Sequence, residues 1–171
     1  MRPEKGTYPG YYENYISLVK HNSVLEALTE TEKETITFFN SVPDDLENST
    51  YEKGKWTIKE VLNHLIDTER IFAYRALRFA RKDETQPLPF EQNDYVAHAE
   101  LENRSLKDLV KEFETVRKAT QSLFNSFSNE TLSRTGQTAA GRASVNAIGF
   151  TTCGHCIHHI NVIKERYLKH S

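Results

Sequence analysis

The chain is 171 residues long, enough for one domain with a substantial core, and 22 lysines and arginines against 24 aspartates and glutamates leave a formal charge of -2. So even a balance recruits neither nucleic acid nor anionic lipid, and no apolar run approaches the roughly 20 residues that cross a bilayer. The N-terminal Met1-Arg2-Pro3-Glu4-Lys5 lacks the apolar core of a signal peptide and no linker or repeat divides the sequence, so a single cytoplasmic domain spanning 1–171 is expected.

Residues through Gly10 are rich in Pro, Gly and Tyr and read as an extended surface segment, followed by a short helix over 11–19. A longer helix is expected over 23–41, with Ser23 as N-cap, Glu26 three residues on, and an apolar stripe through Leu25, Leu28, Ile36 and Phe39. Val42-Pro43 ends it, and a polar loop over 44–55 delivers Trp56. Thr57-Ile58-Lys59-Glu60 is a capping box that opens a helix to about Arg81, with Ile58, Val61, Leu62, Leu65, Phe72, Ala76 and Phe79 as its core stripe. Pro87 and Pro89 break the pattern, and 90–103 is at most irregularly helical. Ser105-Leu106-Lys107-Asp108 caps a third long helix with Leu109, Phe113, Val116, Thr120, Leu123 and Phe127 on one face, ending near Ser128. A second long connection, 129–143, contains Gly136 and Gly141 before Ser144 caps a last helix over 144–168. No segment alternates with period two, so the expected fold class is all-α, four main helices joined by long loops that could roof one end of the bundle.

The last helix carries Gly154-His155-Cys156-Ile157-His158-His159. At about 100° per residue, His155 and His159 share a side with Ile148, Thr152, Val162 and Ile163, while Lys164, Glu165 and Leu168 lie round the back. Imidazoles four residues apart stand one above the other and can converge on a single ion. His64, at the edge of the apolar stripe of the second long helix, is the candidate third ligand. Glu60 or Asp67, at i-4 and i+3, could accept its other ring N–H, although each singly reads as a solvent-side charge. His158, offset by about 60° from His155, is a less central alternative. His98 and His21 read as surface residues.

The run from Lys55 to Arg70 (Lys-Trp-Thr-Ile-Lys-Glu-Val-Leu-Asn-His-Leu-Ile-Asp-Thr-Glu-Arg), the run from Tyr74 to Arg81, and Gly154-His155 through Tyr167 closely resemble the DinB-like superfamily, in its YfiT-related branch. The resemblance extends over nearly the whole chain from Tyr11-Tyr12-Glu13-Asn14-Tyr15 onward. It implies a four-helix bundle of the DinB/YfiT type with long crossover connections, and a divalent metal held by His64, His155 and His159. It also implies a homodimer. Several relatives are metal-dependent transferases of low-molecular-weight thiols, in which the metal binds sulfur and favours the thiolate. The first functional expectation is therefore a thiol transferase or hydrolase that uses Zn²⁺ or Ni²⁺ on a small-molecule substrate. The second is a non-catalytic, metal-stabilised stress protein. Neither the residues nor the resemblance names a catalytic group.

Cys153-Gly154-His155-Cys156 spells the active-site tetrapeptide of disulfide isomerases and raises a third expectation, a thiol redox protein. A redox pair needs a thiol at a helix N-terminus after a strand, whereas these cysteines fall about two turns inside a helix and read as two buried small residues in a reducing compartment. Cys156 stands where the family suggests a larger or acidic residue, and it points about 100° from His155. Arg70, Arg75, Arg78, Arg81 and Lys82 form a basic run that could meet an anionic substrate or a phosphate backbone, although a solvated face is the simpler reading. Glu69 projects by phase into the apolar stripe and must find a partner; a buried hydrogen bond between helices is favoured over a general base. Trp56 either walls the site or, more simply, plugs the bundle end.

Overall fold

A computed structural model of the chain describes residues 1–168, so the last three residues of the expected 1–171 domain lie outside the described residues. A 3₁₀ turn at Gly10–Tyr12 leads into α1 (Glu13–Ile16), and α2 (Val24–Asn40), α3 (Ile58–Ala80), α4 (Gln92–Ala97), α5 (Leu106–Asn125), α6 (Asn129–Ser133) and α7 (Val145–Arg166) follow. Between α6 and α7 lies a two-stranded antiparallel hairpin, β1 (Thr135–Thr138) and β2 (Gly141–Ser144), turned by Ala139 and Ala140. The four long helices form the expected bundle. No described helix is long and apolar enough to cross a membrane.

The long helices start where their capping residues place them. Thr57 Oγ1 accepts the Glu60 N–H at 3.1 Å while the Glu60 carboxylate accepts the Thr57 N–H at 2.6 Å. Ser105 and Asp108 repeat this reciprocal arrangement for α5, and Ser144 Oγ accepts the Ala147 N–H at the start of α7. Each satisfies donors that a helix start otherwise leaves orphaned. Ser23 departs from expectation: its side chain caps nothing, and Glu26 lies 3.3 Å from the His21 ring instead. The buried face of α2 is also rotated from the expected stripe, running through Val24, Ala27, Leu28, Thr31, Thr35, Phe38 and Phe39. The threonines hid this face from a reading by hydropathy; Thr31 is accommodated by donating to the Ala27 carbonyl at 2.6 Å.

The connections hold more structure than expected. Residues 90–103 include α4, and 129–143 form α6 and most of the hairpin. Strands of four residues with glycine at one paired position offer no run of alternating large side chains. Gly136 sits against the Phe79 ring, where an added Cβ would lie 2.0 Å from a ring carbon.

Each long helix packs against two others, giving the cyclic order α2, α5, α3, α7. Helices α2 and α3 therefore lie diagonally opposite, as do α5 and α7, and the chain crosses the bundle between them. The apolar core has two clusters, one centred on Leu28, Phe79, Phe124 and Phe150, the other on Phe39, Leu62, Phe113 and Ile163. Helices α2 and α7 run from the first cluster to the second and α3 and α5 run back, so all four pass through the level between them. Buried polar residues occupy that level: Thr31, His64, Thr68, Glu69, Arg117, Thr120, Thr152 and His155.

Glu69 finds its partner there. Arg117, fully buried, donates through Nε and Nη2 to the two Glu69 carboxylate oxygens at 2.7 and 2.8 Å. Its Nη1 reaches the Leu28 carbonyl and Thr31 Oγ1, and Nη2 also contacts Cys156 Sγ at 3.3 Å. Burial alone would lower the arginine pKa, but the carboxylate beside it raises it, so the guanidinium stays charged. One side chain thus ties together α2, α3, α5 and α7.

Candidate metal centre

His64 comes from the second turn of α3, and His155 and His159 from neighbouring turns of α7, across an interface where the two helices pack directly. Nε2 of His155 lies 3.2 Å from Nε2 of His64 and 3.1 Å from Nε2 of His159. His64 and His155 are buried and His159 is half-buried. The three candidate ligands named from sequence are thus brought to one point. His158 lies beside them with its ring against Tyr15, His98 is exposed, and His21 is half-buried next to Glu26.

The geometry suits a cation better than a set of hydrogen bonds. A single Nε2 on His155 faces two other ring nitrogens, and it cannot donate to one and accept from the other at once. Three nitrogens held at about 2.0–2.1 Å from a tetrahedral ion would stand about 3.3 Å apart, close to the two separations from His155, and all three ligand atoms lie within 4.8 Å of one another. Burial pushes the His64 pKa down to about 4 and that of His159 down to about 3, and it carries His155 well below the ordinary histidine value, with the neighbouring imidazoles adding to the effect. At neutral pH all three rings are neutral and offer lone pairs.

The surroundings differ from the sequence reading in two respects. Neither carboxylate orients His64: Glu60 is committed to the helix cap, and Asp67 accepts from Asn63 and pairs with Arg70. The other ring nitrogen of His64, Nδ1, faces Thr68 Oγ1 at 3.4 Å. Trp56 is a wall as well as a plug, since its indole lies 4.8 Å from the His64 ring, centroid to centroid, while the residue also packs against the second core cluster.

A cavity of about 320 Å³ opens beside His64 and His155. Its floor is one face of α3 (Thr68, Phe72, Arg75), and its walls are Tyr12 and Tyr15 from the N-terminal segment, Phe90 ahead of α4, and the hairpin tip at Thr138, Ala139 and Ala140. The long connections do roof the site. Composition and periodicity gave no role to Tyr15 or Phe90. Tyr15 places its ring edge-on to His155 and His158, with centroids 5.5 and 5.6 Å away, and burial raises its pKa above the ordinary phenol value. Gly154 permits this approach, because a Cβ there would lie 2.1 Å from the Tyr15 carbonyl oxygen.

The cysteine pair lies in surroundings unlike those of a reactive redox pair. Both thiols are free and buried, and burial pushes Cys153 up to about 12 and Cys156 up to about 11, opposite to the depressed pKa of a reactive pair. The basic run is likewise no single solvated face. Arg70 pairs with Asp67 and Glu112, Arg78 pairs with Asp83, and Arg75 turns into the cavity.

The family model DinB_2, describing the DinB superfamily, matches residues 27–163, which include all three histidines. The chain belongs to the DinB superfamily. Its fold matches that of YfiT from Bacillus subtilis, with a TM-score of 0.70 at 16% identity, covering 99% of this chain and 93% of that one. YfiT is described as a probable metal-dependent hydrolase with an unusual four-helix bundle topology. A mycothiol-dependent maleylpyruvate isomerase matches with a TM-score of 0.67 at 13% identity, over 81% of this chain and 58% of the isomerase. Among curated proteins no sequence matches. At these identities the two likenesses establish a shared fold.

Proposed function

We propose that this DinB protein is a divalent-metal enzyme of the thiol S-transferase or hydrolase type, with His64, His155 and His159 as metal ligands. The observation that carries the reading is the convergence of three largely buried Nε2 atoms at the edge of a cavity. Zn²⁺ or Ni²⁺ in that donor set would lower the pKa of a bound thiol or water and so supply the nucleophile. The chain's own residues divide the remaining work. Thr68 faces the outer nitrogen of His64, Trp56 and Phe72 shield the imidazoles from bulk water, and Tyr15 presents a protonated phenol at the rim. The descriptions of YfiT as a probable metal-dependent hydrolase and of the isomerase as mycothiol-dependent support the two reaction types considered.

The test is a panel of low-molecular-weight thiols with alkyl halide electrophiles, and of ester and amide hydrolyses, run on Zn²⁺- and Ni²⁺-loaded protein. A metal-dependent reaction is expected, lost in each of His64→Ala, His155→Ala and His159→Ala while circular dichroism shows the helices intact. Variants that lose metal and melting temperature, with no reaction found in the wild type, would favour a non-catalytic metal-stabilised bundle.

A further inference from the structure

We infer that Arg75 binds a carboxylate of the small molecule on which the three-histidine centre acts, so that the cavity selects anionic ligands. The reacting end of that ligand rests on the metal-centre reading above; the charged end rests on the surroundings of Arg75 itself. Arg75 is only 9% exposed and lines the same cavity as His64 and His155. Among the described residues it has neither an ion pair nor a hydrogen bond, in contrast to Arg117, which is also buried and is matched by Glu69. Its guanidinium carbon lies 5.8 Å from the Phe72 ring centroid and 5.9 Å from that of Phe90. Glu91, the acidic residue of the cavity lining, is taken up in capping α4 through the Asn93 N–H.

A buried cation without a counter-charge is costly unless a ligand supplies one. The two rings offset part of that cost, and no acceptor among the described residues takes up its N–H groups. That planar fork fits a carboxylate with two parallel hydrogen bonds. Its position also fits. Arg75 follows His64 by eleven residues, close to three helical turns, so the two share a face of α3, and an arginine side chain leans back toward the helix N-terminus. Phe72 bridges the interval, 5.8 Å from the guanidinium on one side and 6.3 Å from the His155 ring on the other. The volume is at the small end of the range for small-molecule sites.

The experiment compares ω-mercaptocarboxylates of three to eight carbons with the corresponding ω-mercaptoalcohols, by calorimetric titration of wild type, Arg75→Met, Arg75→Gln and Arg75→Lys, with metal content measured on the same samples. Wild type is expected to bind at least one carboxylate about 10- to 100-fold more tightly than its alcohol, the strength of a charge-assisted pair. The uncharged variants should lose that preference, keep the affinity for the alcohol and keep the melting temperature, and Lys should restore part of the preference. Two uncharged variants guard against one failing to fold. No preference at any chain length in wild type, or a preference that survives loss of the charge, would overturn the inference. An Arg75-dependent preference in protein that takes up no metal would refute the metal reading alone. Metal-loaded protein without the preference would refute the Arg75 assignment alone.

Discussion

His64, His155 and His159 were legible because helical phase places residues four apart on one face, and because an apolar stripe fixes which face points inward. Glu69 was legible by the same phase argument. Its partner was not: Arg117 follows Leu109 and Phe113 at four-residue steps, but a charged residue at that phase reads as a surface residue until the opposite charge is placed across the bundle. Arg75 was hidden for the same reason, inside what looked like a solvated basic run. The histidines also make a prediction about pH. In the unfolded chain their pKa values return to about 6.5, whereas in the folded protein His64 lies at about 4 and His159 at about 3. The unfolded state therefore binds more protons below about pH 6.5, so this contribution to stability is full above that pH and falls as the pH drops toward the folded values. The melting temperature of metal-free protein should decline between pH 7.5 and 5.5, above the range where most carboxylates titrate, and His64→Asn should shallow the decline. A flat profile in wild type would contradict the burial of neutral imidazoles.

At the scale of elements, the long helices follow from capping boxes and sustained amphipathic stripes, and their observed starts at Ile58, Leu106 and Val145 agree with the sequence reading. The short elements do not, since α4, α6 and the hairpin each contain fewer residues than a periodicity argument needs, and packing onto the long helices fixes them. Phe79 against Gly136 is one such docking contact and Tyr15 against Gly154 is another. The second holds the N-terminal segment over the histidines. In Gly154→Ala the added methyl meets a backbone carbonyl that no rotamer change can move, so α1 must shift. A loss of about 1–3 kcal/mol is expected from overpacking, read as a lower urea midpoint at unchanged slope, with metal content retained because no ligand is displaced. Unaltered stability would mean that α1 is not seated on α7 as described.

At the scale of the whole molecule, two apolar clusters enclose a polar level, and that level contains the metal candidates and the Arg117–Glu69 pair together. The pair joins α3 to α5 and also reaches α2 and α7, so it fixes the register of the two helices that supply the histidines. A buried ion pair is weak evidence for stability; what this one supplies is a single set of hydrogen bonds that reaches all four long helices. The crossing order of the chain was not readable from periodicity, which says which face of a helix is buried and not which neighbour covers it; the family resemblance implied long crossover connections, and the order itself comes from the helix contacts. Elemental analysis of untagged wild type beside His64→Ala would show whether the polar level holds a metal. About one equivalent of Zn or Ni in the wild type, falling sharply in the variant while the helical content is kept, is the expected result. Wild-type protein that carries no metal as purified and takes up neither Zn²⁺ nor Ni²⁺ when offered would contradict it, and would leave the three imidazoles as packing and hydrogen-bonding residues of the bundle.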